Sequence, residues 1–293
     1  MTGSKLDNRA QLGKDKGMNI SRLDTTRVHG VALLLCTGLA GGGYSASPTA
    51  ADASAIADPE VRACVERAQP QHSMTQKVSL QVVEGIETMW EFSGTLYWKR
   101  FDNGLAKVLF RIDESPQHQG VAVLIVERSQ GEPDIFMYSP ELRSDRRISG
   151  AAVAGPLLGT DFSYEDFALF QHLAASGEVK RLEDTDVDAH PAYVIEATPV
   201  VEESSYSRIK TFVDKAWCLP VITQFFGHNG SLSKELRIDR AEVRQSNERR
   251  VPFRSTMHNR KQNRRTVLAI SSIEIDPDLP DNLFTLSQLR QGR

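Results

Sequence analysis

The chain has 293 residues, 40% hydrophobic and 25% charged, with 35 Lys and Arg against 38 Asp and Glu. The slightly acidic balance excludes a dedicated nucleic-acid binder, and no stretch reaches the roughly 18 continuous apolar residues of a membrane span. The length left once a leader is set aside suits one large β-rich domain.

Residues 1–46 read as a leader. Met18 opens a signal peptide, with Arg22 and Arg27 in its positive segment, Val31 to Ala40 as a short apolar core and Tyr44-Ser45-Ala46 as a cleavage site. Ala51-Asp52-Ala53 or Ala53-Ser54-Ala55 could serve instead, and residues 1–17 form an upstream extension. The apolar core is too short to cross a membrane. Leu35 stands where a small residue should precede a lipidated cysteine, so Cys36 is not expected to carry lipid, and Gly41-Gly42-Gly43 belongs to the leader rather than to a phosphate loop. Cleavage after Ala46 leaves 29 basic and 35 acidic residues, a net charge near −6. A soluble, exported, periplasmic monomer is the expectation.

Residues 47–57 read as a flexible lead-in to a single domain over residues 58–293. A short helix over Asp58 to Ala68 is capped by Asp58, opened by Pro59 and stopped by Pro70. Cys64 and Cys218, the cysteines outside the leader, could pair and tie this helix to the sheet, or stay separate buried thiols; no CxxC motif points to redox or zinc chemistry. From Gln76 the pattern is a long antiparallel meander. Trp90, Phe92, Gly94, Leu96 and Trp98 alternate with Glu91, Ser93, Thr95 and Tyr97, and Gly94 could mark a bend. Val108, Phe110 and Ile112 alternate after an Asp102-Asn103-Gly104 turn, while Val121 to Val126, with Val123 and Ile125, is continuously apolar and should be buried on both faces or under a lid.

Between Met137 and Phe167 a strand passes through a basic turn, a Gly150–Gly159 stretch without charge, and a restart as a helix over Tyr164 to Ala174. An uncharged apolar loop is a poor solvated connection, so it is expected to cover something apolar. Ser163 and Asp166 form a short capping box. Further strands follow over Glu178–Glu183, Tyr193–Val200, Ser207–Asp214, Leu219–Phe226, Leu232–Ile238, Glu242–Gln245, Pro252–Asn259 and Thr266–Ile275, with Asn282 to Leu289 a short helix or a final strand. So many strands with few helices make a sandwich or a barrel, and pattern alone does not separate an open barrel from a closed lipocalin-like one, although the helix between strands favours the open form.

The residues Tyr138-x-Pro140, Arg143, Arg146-Arg147-Ile148 and, above all, Gly159-Thr160-Asp161-Phe162-Ser163-Tyr164-Glu165-Asp166 resemble the signature of the LolA-like family of outer-membrane lipoprotein-sorting proteins, whose relatives are the periplasmic carriers LolA and LolB. The resemblance runs from about Ser73 to Leu289. It implies a mainly β fold, a half-open antiparallel barrel of about ten strands with a helical and loop lid over its apolar side. It also implies a carrier of acyl chains of lipids or lipoproteins between inner and outer membrane, touching membranes transiently and working with an RND-type exporter. The rival within the same fold is a lipid-sensing regulator resembling RseB that binds a membrane partner. Such regulators carry a second C-terminal domain, for which the short stretch after the last strand is expected to leave no room.

The expected cavity residues are Trp90, Phe92, Leu96, Trp98, Val108, Phe110, Ile112, Val123 and Ile125; each also suits an ordinary β core. The lid residues are Val153, Leu157, Leu158 and Phe162, with Arg143 or Arg147 latching lid carbonyls or Asp161. Arg249, Arg250, Arg260 and Lys261 belong to a second basic block that is either two solvated hairpin ends or a contact patch for anionic head groups or an acidic partner. No catalytic residue, metal or cofactor is expected. The histidines are scattered, no GxSxG or nucleophile–base set supports a hydrolase, and helix capping accounts for Asp161, Glu165 and Asp166 more simply than a metal does.

Overall fold

In a computed structural model the described residues are 56, 58–129, 131–170, 176–199, 204–246 and 249–291. The expected leader and all of the lead-in except Ile56 lie outside them. Helix α1 (Pro59–Ala68) precedes β1 (Ser73–Glu84), β2 (Glu87–Arg100), β3 (Ala106–Glu114), β4 (Ala122–Val126), β5 (Asp134–Ser139) and β6 (Ser144–Ile148). Two 3-10 turns, Gly150–Ala154 and Leu157–Gly159, lead into α2 (Tyr164–Phe170). Then come β7 (Ser176–Arg181), β8 (Thr185–Val187), β9 (His190–Pro199), β10 (Arg208–Asp214), β11 (Pro220–Phe226), β12 (Leu232–Ile238), β13 (Val243–Ser246), β14 (Arg249–Pro252), β15 (Arg254–Asn259), β16 (Arg264–Ile275), a 3-10 turn over Asp281–Phe284 and α3 (Leu286–Gln291).

Fourteen strands form one sheet, ordered β6-β5-β4-β3-β2-β1-β16-β15-β12-β11-β10-β9-β7, with β8 pairing beside β9 and the β13–β14 hairpin standing apart. The strand ladders are antiparallel, and the last strand, β16, returns to lie beside the first. No ladder among the described residues joins β6 to β7, so the sheet is an open cradle, as the family resemblance implies. It has more strands than the expected ten. The expected Pro252–Asn259 strand begins at Arg254 as β15, a further short strand, β14, precedes it, and the basic turn is a true hairpin, β5–β6. The bend at Gly94 is a bulge: the β2–β3 register shifts there, and a Cβ on Gly94 would lie 2.2 Å from the Arg111 carbonyl oxygen.

Period-two alternation sends two apolar sets to opposite faces. The concave set includes Leu80, Phe92, Val108, Phe110, Val123 and Ile135, packed with Leu157, Phe162 and Phe167 from the segment between β6 and β7. The convex set on β3 and β4, Leu109, Ala122 and Leu124, packs under Leu279, Phe284 and Leu289. The apolar run at β4 is therefore buried on both faces, as expected. Asn282 to Leu289 resolves as a 3-10 turn and a helix rather than a strand.

Asp58 caps α1 by accepting from the amides of Glu60 and Val61. Of the two readings of the cysteines the structure takes the bonded one: Cys64 and Cys218 form a disulfide that fastens α1 to the turn between β10 and β11.

Candidate functional site: an apolar cavity under a clamped plug

A cavity of about 290 Å3 lies on the concave face of the cradle. Its floor is the centre of the sheet: Leu96 and Trp98 of β2, Phe110 of β3, and a row of Leu268, Ile270, Ile273 and Ile275 along β16. That row is only partly buried, so these aliphatic side chains face a hollow rather than a packed neighbour. One end is closed by Leu157, Phe162, Phe167 and Phe170. The other is framed by the end of α1 (Val65, Ala68), the disulfide turn (Cys218, Leu219) and Arg249 to Pro252 of β14. Register separates the ends: the plug is tied to β16 at Thr266, whereas Ile275 pairs with Met74, just after α1, roughly 30 Å further along at about 3.3 Å per residue.

The signature residues build the plug. Leu157 is 1% exposed, Leu158 8% and Phe162 4%, so the second half of the uncharged stretch is buried, while Gly150 to Ala152 face solvent. Gly159 takes a positive φ of 76° and lies on the Trp90 ring, where a Cβ would come within 3.2 Å of Cζ2, so any side chain there would be strained and crowded. The Thr160 hydroxyl donates to the Leu157 carbonyl at 2.7 Å. Asp161 is buried and fully engaged. Its Oδ1 accepts from Arg264 Nε at 2.9 Å and from Asn259 Nδ2 at 3.1 Å, its Oδ2 from the Thr266 hydroxyl at 2.7 Å, and its amide donates to Thr266 Oγ1 at 2.9 Å.

A second clamp holds the start of α2. Ser163 and Asp166 form the expected capping box, the Ser163 amide donating to Asp166 Oδ2 at 2.8 Å and the Asp166 amide to Ser163 Oγ at 3.1 Å. Asp166 also accepts from the Tyr206 hydroxyl at 2.6 Å and from Lys234 Nζ at 2.8 Å. Glu165 accepts from the Ser204 hydroxyl and from the Ser205 amide at 3.2 Å. Burial pushes the Glu165 carboxyl above its ordinary range, against the pull of these hydrogen bonds. The Tyr206 hydroxyl is raised by burial and then by neighbouring Asp166. The plug thus stands between two polar clamps, one on β15–β16 and one on the lead to β10 and on β12.

Of the expected cavity residues, Leu96, Trp98 and Phe110 line the hollow. Phe92, Val108, Ile112, Val123 and Ile125 are buried in the same concave layer away from it, and Trp90 packs on that layer beneath Gly159. Among the lid residues, Leu157 and Phe162 reach the cavity; Leu158 is buried beside it and Val153 is partly buried against the same layer. The latch arginines need correction. Arg143 is exposed at the β5–β6 turn, with a φ of 48°, and Arg147 pairs with Asp134 at 2.6 Å. The side-chain partners of Asp161 come instead from β15 and β16. The arginine on the plug is Arg264, which binds Asp161, donates to the Gly159 carbonyl at 3.2 Å and stacks over Trp90 at 5.5 Å. The four patch residues divide. Arg249 and Arg250 line the far end of the cavity, whereas Arg260, paired with Glu235 at 3.3 Å, and Lys261 sit in the exposed β15–β16 turn.

The partners Lys234, Tyr206 and Ser204 carried no sequence signal, being separated from the plug by 39 to 68 residues. No group of three or more His, Cys, Asp or Glu residues among those described could hold a metal, and no helix among them is long and apolar enough to cross a membrane.

A family model described as "Uncharacterized protein" matches residues 104–291. No curated protein matches the chain. Among solved structures, a protein domain assigned to outer membrane lipoprotein sorting from Vibrio parahaemolyticus is 22% identical with a TM-score of 0.71, over 79% of this chain and 97% of that one. A DUF1329 family protein from Desulfovibrio piger is 20% identical with a TM-score of 0.72, over 78% and 96%. A LolA superfamily protein from Nitrosomonas europaea is 20% identical with a TM-score of 0.62, over 78% and 98%. The family model covers more than half of the chain, which belongs to that family, and its open cradle has the LolA-like fold of these structures.

Proposed function

We propose that the protein is a periplasmic carrier that holds the acyl chains of lipids or lipoproteins in the concave cavity and moves them between the inner and outer membrane. The observation that carries this reading is the hollow itself, about 290 Å3, with a half-buried aliphatic row facing it beneath a plug held by hydrogen bonds. A purely structural core would close over such a row. Each methylene removed from water contributes about 0.8 kcal/mol, so a chain of a dozen carbons gains more than loosening a few polar contacts costs. Phe162 and Leu157 fill one end of the cavity in the empty state and give way to cargo in the loaded one. Loading from an RND-type exporter and release at the outer membrane follow the family resemblance.

Mass spectrometry of protein purified gently from its native envelope tests the reading. Stoichiometric acyl lipid or lipoprotein is expected; protein that arrives empty and takes up no acyl probe contradicts it.

A further inference from the structure

Arg249 and Arg250 are the only charged side chains among the described residues lining the cavity. They sit on β14, and period-two alternation puts Arg249 on the same face as Val251, which is buried and lines the hollow, while Arg250 is exposed at the rim. Arg249 Nη1 is buried and has no hydrogen-bond partner. Neither arginine forms an ion pair with a described residue, in contrast to Arg244 on the neighbouring strand, which pairs with Glu242 at 2.7 Å and covers Phe253. A guanidinium N–H turned inward beside apolar walls without an acceptor is a costly arrangement, and an anion from outside would relieve it. The planar guanidinium matches a carboxylate or phosphate with paired donors.

We propose that this end of the cavity is a head-group site, in which Arg249, assisted by Arg250 at the rim, holds the oxyanion of a single-chain amphiphile. The tail runs along Ile275, Ile273, Ile270 and Leu268 toward the plug. The cavity therefore has a direction: anion at the end framed by α1 and the disulfide, methyl terminus at Phe162 and Phe170. Arg260 and Lys261, at the plug end of the sheet, take no part. The proposal rests on the carriage reading and adds polarity and charge selection to it.

Displacement of a fluorescent acyl probe by dodecanoate, dodecyl phosphate and dodecanol tests it. Wild-type protein should bind the two anions about tenfold to a hundredfold more tightly than the alcohol, the range for a hydrogen bond to a charged group. The double substitution Arg249→Ser and Arg250→Ser should erase that advantage and leave dodecanol affinity unchanged, which also reports an intact fold; Arg249→Lys should restore part of it. The better of the two anions identifies a carboxylate or a phosphate head, and either supports the proposal. Equal affinity for all three ligands in the wild type, or an anion preference that survives the double substitution, overturns the head-group site while carriage stands. No binding of any of the three removes both.

Discussion

The two faces of one sheet are covered in different ways. On the convex face, the C-terminal turn and α3 close over Leu109 and Leu124 with Phe284 and Leu289, which are 1% and 0% exposed, and Phe284 meets Phe101 edge-on at 5.7 Å. Arg111 donates to the Gln288 carbonyl at 2.5 Å and Arg290 pairs with Asp145 at 2.5 Å, so the cover is both fitted and tied down. On the concave face, the plug leaves about 290 Å3 beneath it, and beside its buried Leu157, Phe162 and Phe167 it is held by Asp161, Glu165 and Asp166 reaching polar partners elsewhere in the chain. An apolar seal is hard to open because each part excludes water for the rest. A hydrogen-bonded clamp over a hollow, whose charged members contribute about 1.5–3 kcal/mol per bond, can be exchanged one bond at a time for other contacts. The convex cover is built to stay and the concave one to yield.

The sharpest way to break this contrast is at Phe284. Its replacement by Ala should cost about 3–5 kcal/mol in urea unfolding, as for other buried aromatics, yet leave acyl-probe affinity at the wild-type value. A matching loss of affinity would mean that the two covers are not independent.

The Asp161→Ala change should be smaller for the whole molecule, about 1–3 kcal/mol, because the partly buried Arg264 and Asn259 stay within reach of water while the buried Thr266 hydroxyl loses its acceptor. Its effect on uptake should be opposite in sign: with one clamp gone, the acyl probe enters faster in stopped-flow measurements. Arg264→Ala should act alike, whereas Arg147→Ala, which touches Asp134 instead, should leave uptake unaltered.

The smallest effect concerns pH. The Glu165 carboxyl is raised by burial in the folded state and is ordinary in the unfolded one. Its contribution to stability is therefore present below the unfolded pKa and lost as pH rises through the folded value. Glu127, also raised by burial, has the same sign. Glu165→Gln should thus reduce, without abolishing, the fall in stability above the ordinary carboxyl range, measured by urea unfolding across that interval. An unchanged slope would place the raised carboxyl elsewhere.

Much of the cradle was legible because its strands alternate: Trp90 to Trp98 and Val108 to Ile112 reveal their faces directly, and the charge-free Gly150–Gly159 stretch betrays a cover. The plug's capping box was likewise local, with Ser163 and Asp166 three residues apart. What failed was pairing across the chain. Arg143 and Arg147 are near Asp161 in sequence, but they lie exposed on β5–β6, Arg147 paired with Asp134, and the arginine on Asp161 is Arg264 of the last strand. The hollow itself was expected and Leu96, Trp98 and Phe110 line it, but the β16 row was beyond reach, since Leu268 and Ile270 read as ordinary strand interior until their missing neighbours are seen. Phe92, Val123 and Ile125 read identically and are packed core. Alternation identifies a face, and only the space above it separates a floor from a filling.

Amide hydrogen exchange with and without bound dodecanoate tests displacement of the plug most directly. The Leu157 amide donates to the Phe162 carbonyl at 2.7 Å and the Thr160 amide to the Leu157 carbonyl at 3.0 Å. Loading should speed exchange at residues 157 and 160 while residues 284–291 keep their protection. Saturating ligand that leaves the exchange at residues 157 and 160 unchanged or slower would contradict a plug that yields to cargo.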